Sequence, residues 1–376
     1  MRTRADSASP EPKSPSGGVA GGLKIDSRRR RELSRAATQS GSKRAVWTAL
    51  GGNLAIAVTK CLAAWITGSA AMLSEGAHSL VDSGNEVLLL YGMRRAAQPP
   101  DLAHPFGHGR EAYFWSFMVA LMFFLLGAGV SLYEGIEHVL HPHPIHYIAV
   151  TYGVIVVSVL CEGYSLRVAL KEFSKEKAGQ GYLEAIRRSK NPTTFTVLLE
   201  DSAAVTGLTI AFLGIFGAQL LGIPELDGVA SIGVGLVLTA MALFLAYETK
   251  SLLIGEAASP ELEAAILRAA FDDPAVEHAN GVITVHLGPE QVVAELSLEF
   301  KSEARAGEIE ESVERIEAAI RAEYREIAAL FVKPQSAEEW RRRHRRIEAA
   351  SDEGLRERSA RRRGIRDRVL RQSGRP

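Results

Sequence analysis

Six long apolar stretches fill the middle of this chain, at 46–67, 70–92, 112–137, 147–170, 196–220 and 228–249. A helix rises about 1.5 Å per residue, so about 20 apolar residues cross about 30 Å of hydrocarbon. Every stretch reaches that length, and polar connectors separate them. Buried helices of a soluble protein fit six such runs poorly, and the absence of alternating apolar and polar residues within them argues against a membrane β-barrel. The chain is therefore expected to be an α-helical membrane protein with six transmembrane helices.

The connectors set an orientation. Arg28, Arg29, Arg30, Arg31, Arg35, Lys43 and Arg44 precede the first span; Arg94, Arg95 and Arg110 lie between the second and third. Lys171, Lys175, Lys177, Arg187, Arg188 and Lys190 lie between the fourth and fifth. The other three connectors contain no Lys or Arg. Excess positive charge marks the cytoplasmic side, so both termini and these two loops are expected there.

Charge is segregated along the chain. Lys plus Arg and Asp plus Glu number 44 each, which excludes a uniformly basic nucleic-acid binder, so no nucleic-acid partner is expected. Residues 1–44 read as a disordered basic tail, with Ser, Pro and Gly concentrated before Gly22. The transmembrane domain is expected over 45–254. Residues 255–334 read as a small α+β domain: a helix over Pro260–Phe271, strands around Ile283–Leu287 and Val292–Phe300 joined by a turn at Gly288-Pro289, a helix with Ile309, Val313, Ile316 and Ile320 on one face, and a last strand at Ile327–Val332. The Arg-rich tail, 335–376, reads as a solvated charged segment. Cys61 and Cys161 sit in apolar runs and offer no disulfide framework. No secretory signal is evident near Met1, which points to a bacterial inner membrane.

Ionisable groups inside spanning helices are costly, so each is a functional candidate. The second span holds Glu75, His78, Asp82 and Glu86. His78 and Asp82 are one turn apart on one helix face, where an imidazole and a carboxylate can grip one divalent ion. Glu200 and Asp201 in the fifth span and Glu162 in the fourth can supply further ligands. A second group, Asp101, His104 and His108, has ligand spacing in the loop after the second span, where Gly107 and Gly109 permit sharp turns. A third group, His138, His141, His143 and His146, reads as loosely metal-attracting at most.

These residues resemble those of the cation diffusion facilitators, over about residues 42–333. The carrying motifs are GNLAIAVTK, LSEGAHSLVDSGNEVLLLYG, PPDLAHPFGHGREAYFW, SLYEGIEHVLHPHPI and PELDGVASIGVGLVL. The resemblance implies six spanning helices, a homodimer, a cytoplasmic metallochaperone-like αββαβ domain and metal export in exchange for protons. It places the transport ligands on His78 and Asp82 and the loop site on Asp101, His104 and His108. In the fifth span Asp201 matches the family's Asp, but Val197 stands where a His is usual. Glu200, Glu162 or water is then left to complete the site, as in a branch with LLED in this span. Zn²⁺ is the expected cargo, with Mn²⁺, Fe²⁺, Co²⁺ or Cd²⁺ as alternatives; the missing imidazole weakens the preference for Zn²⁺ over harder Mn²⁺. No prosthetic group and no enzymatic activity are expected. His278 and His286 alone make a poor metal cluster in the αββαβ domain. His78 is the expected proton carrier, because imidazole titrates near neutrality. The rival reading is a non-transporting membrane scaffold or metal sensor.

Overall fold

The computed structural model describes the chain from Val19 to residue 346 and residue 349, apart from residues 68–69, 143–147, 178 and 180; for 19–39, 67, 70–75, 77–78 and 176 it describes the backbone alone. Among the described residues, five helical segments are long and apolar enough to cross a membrane: Ser40–Ile66, Arg110–Leu140, Ile148–Lys175, Pro192–Leu221 and Glu225–Ile254. The sixth expected span is helix α2, Ala70–Ala96, whose 27 residues are long enough to cross. Its charged and imidazole side chains lower its apolar character, and it packs between α1 (Val19–Thr67) and α3 (Arg110–Met122).

Helix α1 begins well before the membrane segment, so residues 19–44 are helical where a disordered tail was expected. The stretch from Arg28 to Ser42 is rich in Arg and contains no Pro and one Gly, which lets the spanning helix propagate toward its N-terminus. Residues 1–18 lie outside the described residues. A π-helical turn, Phe123–Ala128, joins α3 to α4 (Gly129–Leu140). Helices α5 (Ile148–Glu176), α6 (Tyr182–Arg188), α7 (Pro192–Leu221) and α8 (Glu225–Ile254) follow. Small residues bring α4 and α8 together. A Cβ at Gly135 would lie 2.7 Å from the Ile232 nitrogen, and one at Gly228 would lie 2.7 Å from the Val139 nitrogen.

Beyond Gly255 the chain forms the expected α-β-β-α-β order. Helix α9, Pro260–Phe271, is capped by the Ser259 hydroxyl, which accepts from the Leu262 N–H. Strands β1 (Val276–Gly288) and β2 (Gln291–Phe300) are antiparallel. Helix α10 (Ala306–Glu323) then carries the chain to β3 (Ile327–Pro334), which pairs parallel to the central β2. Alternation along β2 sends Val292, Ala294, Leu296 and Leu298 into a core with Ile266, Ile316 and Ile320.

The opposite face of the sheet is not left to solvent. A helix from residue 337 lies across it, which corrects the expectation of a solvated tail for its first ten residues. Trp340 is buried over Gly281, where any Cβ would strike the indole at 2.2 Å. Arg343 donates to both oxygens of Glu295 at 2.6 and 3.2 Å. A Trp and a matched ion pair turn one side of an otherwise charged helix into a docking face.

Candidate functional site

Within the bundle, α2, α5 and α7 present carboxylates to one another. Glu162 interacts electrostatically with both Asp201 and Asp82. Asp201 is 2% exposed and accepts a hydrogen bond from Ser165 at 2.7 Å, so a polar residue one turn along α5 fixes its orientation. Lys60 of α1 faces Glu162 and is the cation brought near this group. His78 lies on α2 by its backbone, and its side chain lies outside the described residues. Asp82, Glu162 and Asp201 therefore belong to one acidic group drawn from three helices, although their ligand atoms do not all lie within 4.8 Å of one another.

Val197 is fully buried in an apolar cluster with Tyr113, Phe195 and Leu198. It sits one turn from Asp201 on the same helix, nearer the end of the bundle that carries the α/β domain. This is the position at which the resemblance expects an imidazole, and its surroundings here are apolar. Sequence reasoning kept Glu200 and Glu162 level as substitutes. Glu162 interacts electrostatically with Asp201 and Asp82, and Glu200 with Glu86, Asp82, Asp201 and Glu162, so both remain near the same acidic group.

The loop group is compact. Asp101, His104 and His108 offer ligand atoms within 4.8 Å of one another, the one such trio among the described residues. Asp101 Oδ1 accepts from the His104 backbone N–H at 2.6 Å and lies 3.2 Å from its imidazole, while Oδ2 lies 3.2 Å from His108 Nε2. The backbone N–H of His104, aided by both imidazoles, holds the Asp101 carboxyl below its usual range, so it is an ionised ligand at neutral pH. Gly107 has φ of +86°, a left-handed turn that swings His108 back toward Asp101.

The same loop sits on the α/β domain. Gly109 N–H donates to Gln291 Oε1 at 3.1 Å, and a Cβ at Gly288 would lie 2.7 Å from Gly109 Cα. Phe106 meets Phe331 edge-on, with centroids 6.3 Å apart. Lys190 bonds Glu256 across the same junction. Gln291 was invisible as a site residue, because nothing in a strand sequence tells which loop its first residue will touch. A cavity of about 1230 Å³ opens between bundle and domain, lined in part by Ser42, Lys190, Thr193, His286 and Gln291. None of the intramembrane carboxylates lines it.

The remaining histidines do other work. His286 is buried and its Nδ1 lies 3.1 Å from the Gly288 carbonyl oxygen; burial pushes its pKa down. His278 is exposed. His138 pairs with Asp227 at 3.7 Å and His141 approaches Glu137 at 3.9 Å, while His143 and His146 lie outside the described residues.

A bundle of this kind, with carboxylates gathered in its interior and a small α/β domain at one end, defines a multi-pass membrane protein built around a cation-attracting centre. Residues 46–254 match the cation efflux transmembrane domain, and the chain belongs to the cation efflux, or cation diffusion facilitator, family. It is 36% identical over 242 residues to the mitochondrial proton-coupled zinc antiporter SLC30A9 of Xenopus laevis, covering 64% of this chain and 43% of that protein. It is 31% identical over 264 residues to metal tolerance protein C4 of Arabidopsis thaliana, covering 70% and 58%. It is 25% identical over 272 residues to the cation-efflux pump FieF of Pectobacterium atrosepticum, covering 72% and 85%. The chain thus spans less than half the length of the SLC30A9 relative.

Proposed function

We propose that this protein is a secondary transporter that moves divalent metal ions, foremost Zn²⁺, across a membrane in exchange for protons, working as a homodimer. The carrying observation is that Glu162 of α5 interacts electrostatically with Asp201 of α7 and Asp82 of α2 inside the bundle. With His78 these residues form the transport site, and Glu162 serves as the ligand that Val197 cannot be. Three carboxylates and one imidazole suit Zn²⁺ but accept harder Mn²⁺ more readily than a His-richer set would. The names of the SLC30A9 relatives, proton-coupled zinc antiporters, support both the cargo and the counter-ion. Ligands bind metal when deprotonated and take up protons when it leaves, which couples the two flows.

The loop trio is a second metal site. It lies at the domain-side end of the bundle, which on the charge pattern of the connectors is the cytoplasmic side. Because its Gly107–Gly109 segment rests on the β1–β2 turn, occupancy there biases how the domain sits on the bundle. The α/β domain itself holds the dimer together.

The test is flux into vesicles reconstituted with the full chain, under an imposed pH gradient, across Zn²⁺, Mn²⁺, Fe²⁺, Co²⁺ and Cd²⁺. Metal-for-proton exchange is expected, and Asp82→Ala or Asp201→Ala is expected to abolish it while expression survives. A membrane scaffold or sensor would give no exchange with any ion. Normal zinc flux in Asp201→Ala would remove the fifth span from the site.

A further inference from the structure

One of the proposed transport ligands is held from behind by another helix. Asp201 and Ser165 are each 2% exposed, and the Ser165 hydroxyl of α5 donates to Asp201 Oδ2 of α7 at 2.7 Å. The two helices pack directly against each other. Among the described residues no other hydrogen bond reaches this carboxylate, so Oδ1 is left for an ion. Ser165 lies three residues from Glu162 on α5, within the same face of that helix. One helix face therefore carries both a proposed ligand and the hydroxyl that orients a second one.

A hydroxyl inside a helix ordinarily bonds locally. Ser83, Ser202, Thr206, Thr239 and Thr249 all donate to the carbonyl four residues back. Ser165 instead reaches across to a carboxylate on a neighbouring helix. A donor on one carboxylate oxygen occupies a lone pair there and fixes the plane of the group. Asp201 is then set to meet an ion through Oδ1 alone. One-oxygen binding keeps the donor count low, which matches four-coordinate Zn²⁺. Octahedral ions such as Mn²⁺ need more donors, and a carboxylate free to give both oxygens supplies one.

We propose that Ser165 is a positioning residue that sets metal specificity: by holding Asp201 Oδ2 it keeps this carboxylate a one-oxygen ligand and favours Zn²⁺ over Mn²⁺. The proposal rests on the transport reading and deepens it. With three carboxylates, one imidazole and Val197 in place of a second, donor chemistry alone favours zinc only weakly. The hydrogen bond behind Asp201 supplies discrimination through coordination number.

The test compares Zn²⁺ and Mn²⁺ flux in reconstituted vesicles for Ser165→Ala, Ser165→Thr and Ser165→Cys. Partners that orient a metal ligand commonly carry about 10–100-fold of affinity, so Ser165→Ala is expected to raise the apparent KM for Zn²⁺ about tenfold, with that for Mn²⁺ and both maximal fluxes within about threefold. Ser165→Thr keeps the donor and should restore the Zn²⁺ to Mn²⁺ ratio. Ser165→Cys, with a weaker donor of similar size, should fall between. Ser158→Ala is the comparison. Its hydroxyl is buried on the same helix without a partner, so its loss should leave the ratio unchanged. The same preference is read without flux as Mn²⁺ competition for bound Zn²⁺, on full-length protein with His104→Ala and His108→Ala to remove the loop ion. An unchanged ratio in Ser165→Ala, an equal loss for both ions, no recovery in either Thr or Cys, or an equal shift in Ser158→Ala would overturn the role of Ser165 while leaving transport intact. Absence of exchange in the unaltered protein would instead refute the transport reading.

Discussion

Replacing Gln291 with Ala would test whether the loop metal site and the α/β domain are mechanically joined. Gln291 Oε1 is the acceptor for the Gly109 N–H at 3.1 Å, and this bond is only part-buried. Losing it removes about 1 kcal/mol of docking, because water can reach the freed N–H and limit the cost. If the ion binds the docked loop, affinity falls by no more than that energy, or about fivefold. Gly109→Ala is the harsher change. Its Cβ would meet Gln291 Oε1 at 2.3 Å, which the side chain can escape, and the Leu287 carbonyl at 2.8 Å, which is backbone and cannot. We expect Gly109→Ala to weaken loop binding more than Gln291→Ala does, and the pair together to add little beyond Gly109→Ala. The assay is competition with a zinc chelator on full-length protein in which intramembrane carboxylates are removed (Asp82→Ala, Asp201→Ala, Glu86→Gln and Glu200→Gln), so that the ion counted belongs to the loop. Linkage demands the converse as well: bound zinc should slow proteolysis at the junction in the parent and less so in Gln291→Ala. Unaltered zinc affinity in both Gln291→Ala and Gly109→Ala would refute the coupling.

Val197→His should raise the ratio of Zn²⁺ to Mn²⁺ flux by adding an imidazole, at a packing cost of about 1–3 kcal/mol in its apolar cluster; an unaltered ratio would mean that the position does not face the ion. His278→Ala with His286→Ala should leave flux nearly intact, whereas deleting 255–333 should depress it strongly through loss of the dimer; stoichiometric zinc bound through these two residues would contradict this. Asp273 accepts from Ser312 at 2.7 Å and from Arg315 at 2.9 Å, and the Arg315 and Ser312 donors hold its carboxyl below the usual range against its partial burial. A depressed folded pKa contributes stability that is present above the unfolded value, about 4, and is lost as pH falls through the folded one. Asp273→Asn should therefore lower the urea midpoint of the domain at pH 7, and the gap to the parent should close on acidification below about pH 4.

The membrane architecture was legible because its signal is local. Length and apolarity mark a spanning helix wherever it packs, and five segments met that test. Helix α2 fell short on composition for the same reason that it was singled out as a functional candidate: it carries charge. The domain's α-β-β-α-β order was equally readable, since alternation in β2 and the spacing of Ile316 and Ile320 report which face each element buries. Loop ligands three and four residues apart could be grouped by sequence because turns at Gly107 and Gly109 close over a short distance.

What the sequence could not decide was every relation between distant residues. Glu162 and Glu200 stood level as substitutes for a missing histidine, and the sequence could not tell that both would come near Asp82 and Asp201 in the bundle. Periodicity fixes which residues share a face of one helix, but the rotation of α5 and α7 comes from side-chain packing against each other and against α1. The same limit hid Gln291 beneath the loop and the docking of Trp340 over Gly281, where a charged tail becomes structure only because a bare glycine in the sheet leaves room for an indole.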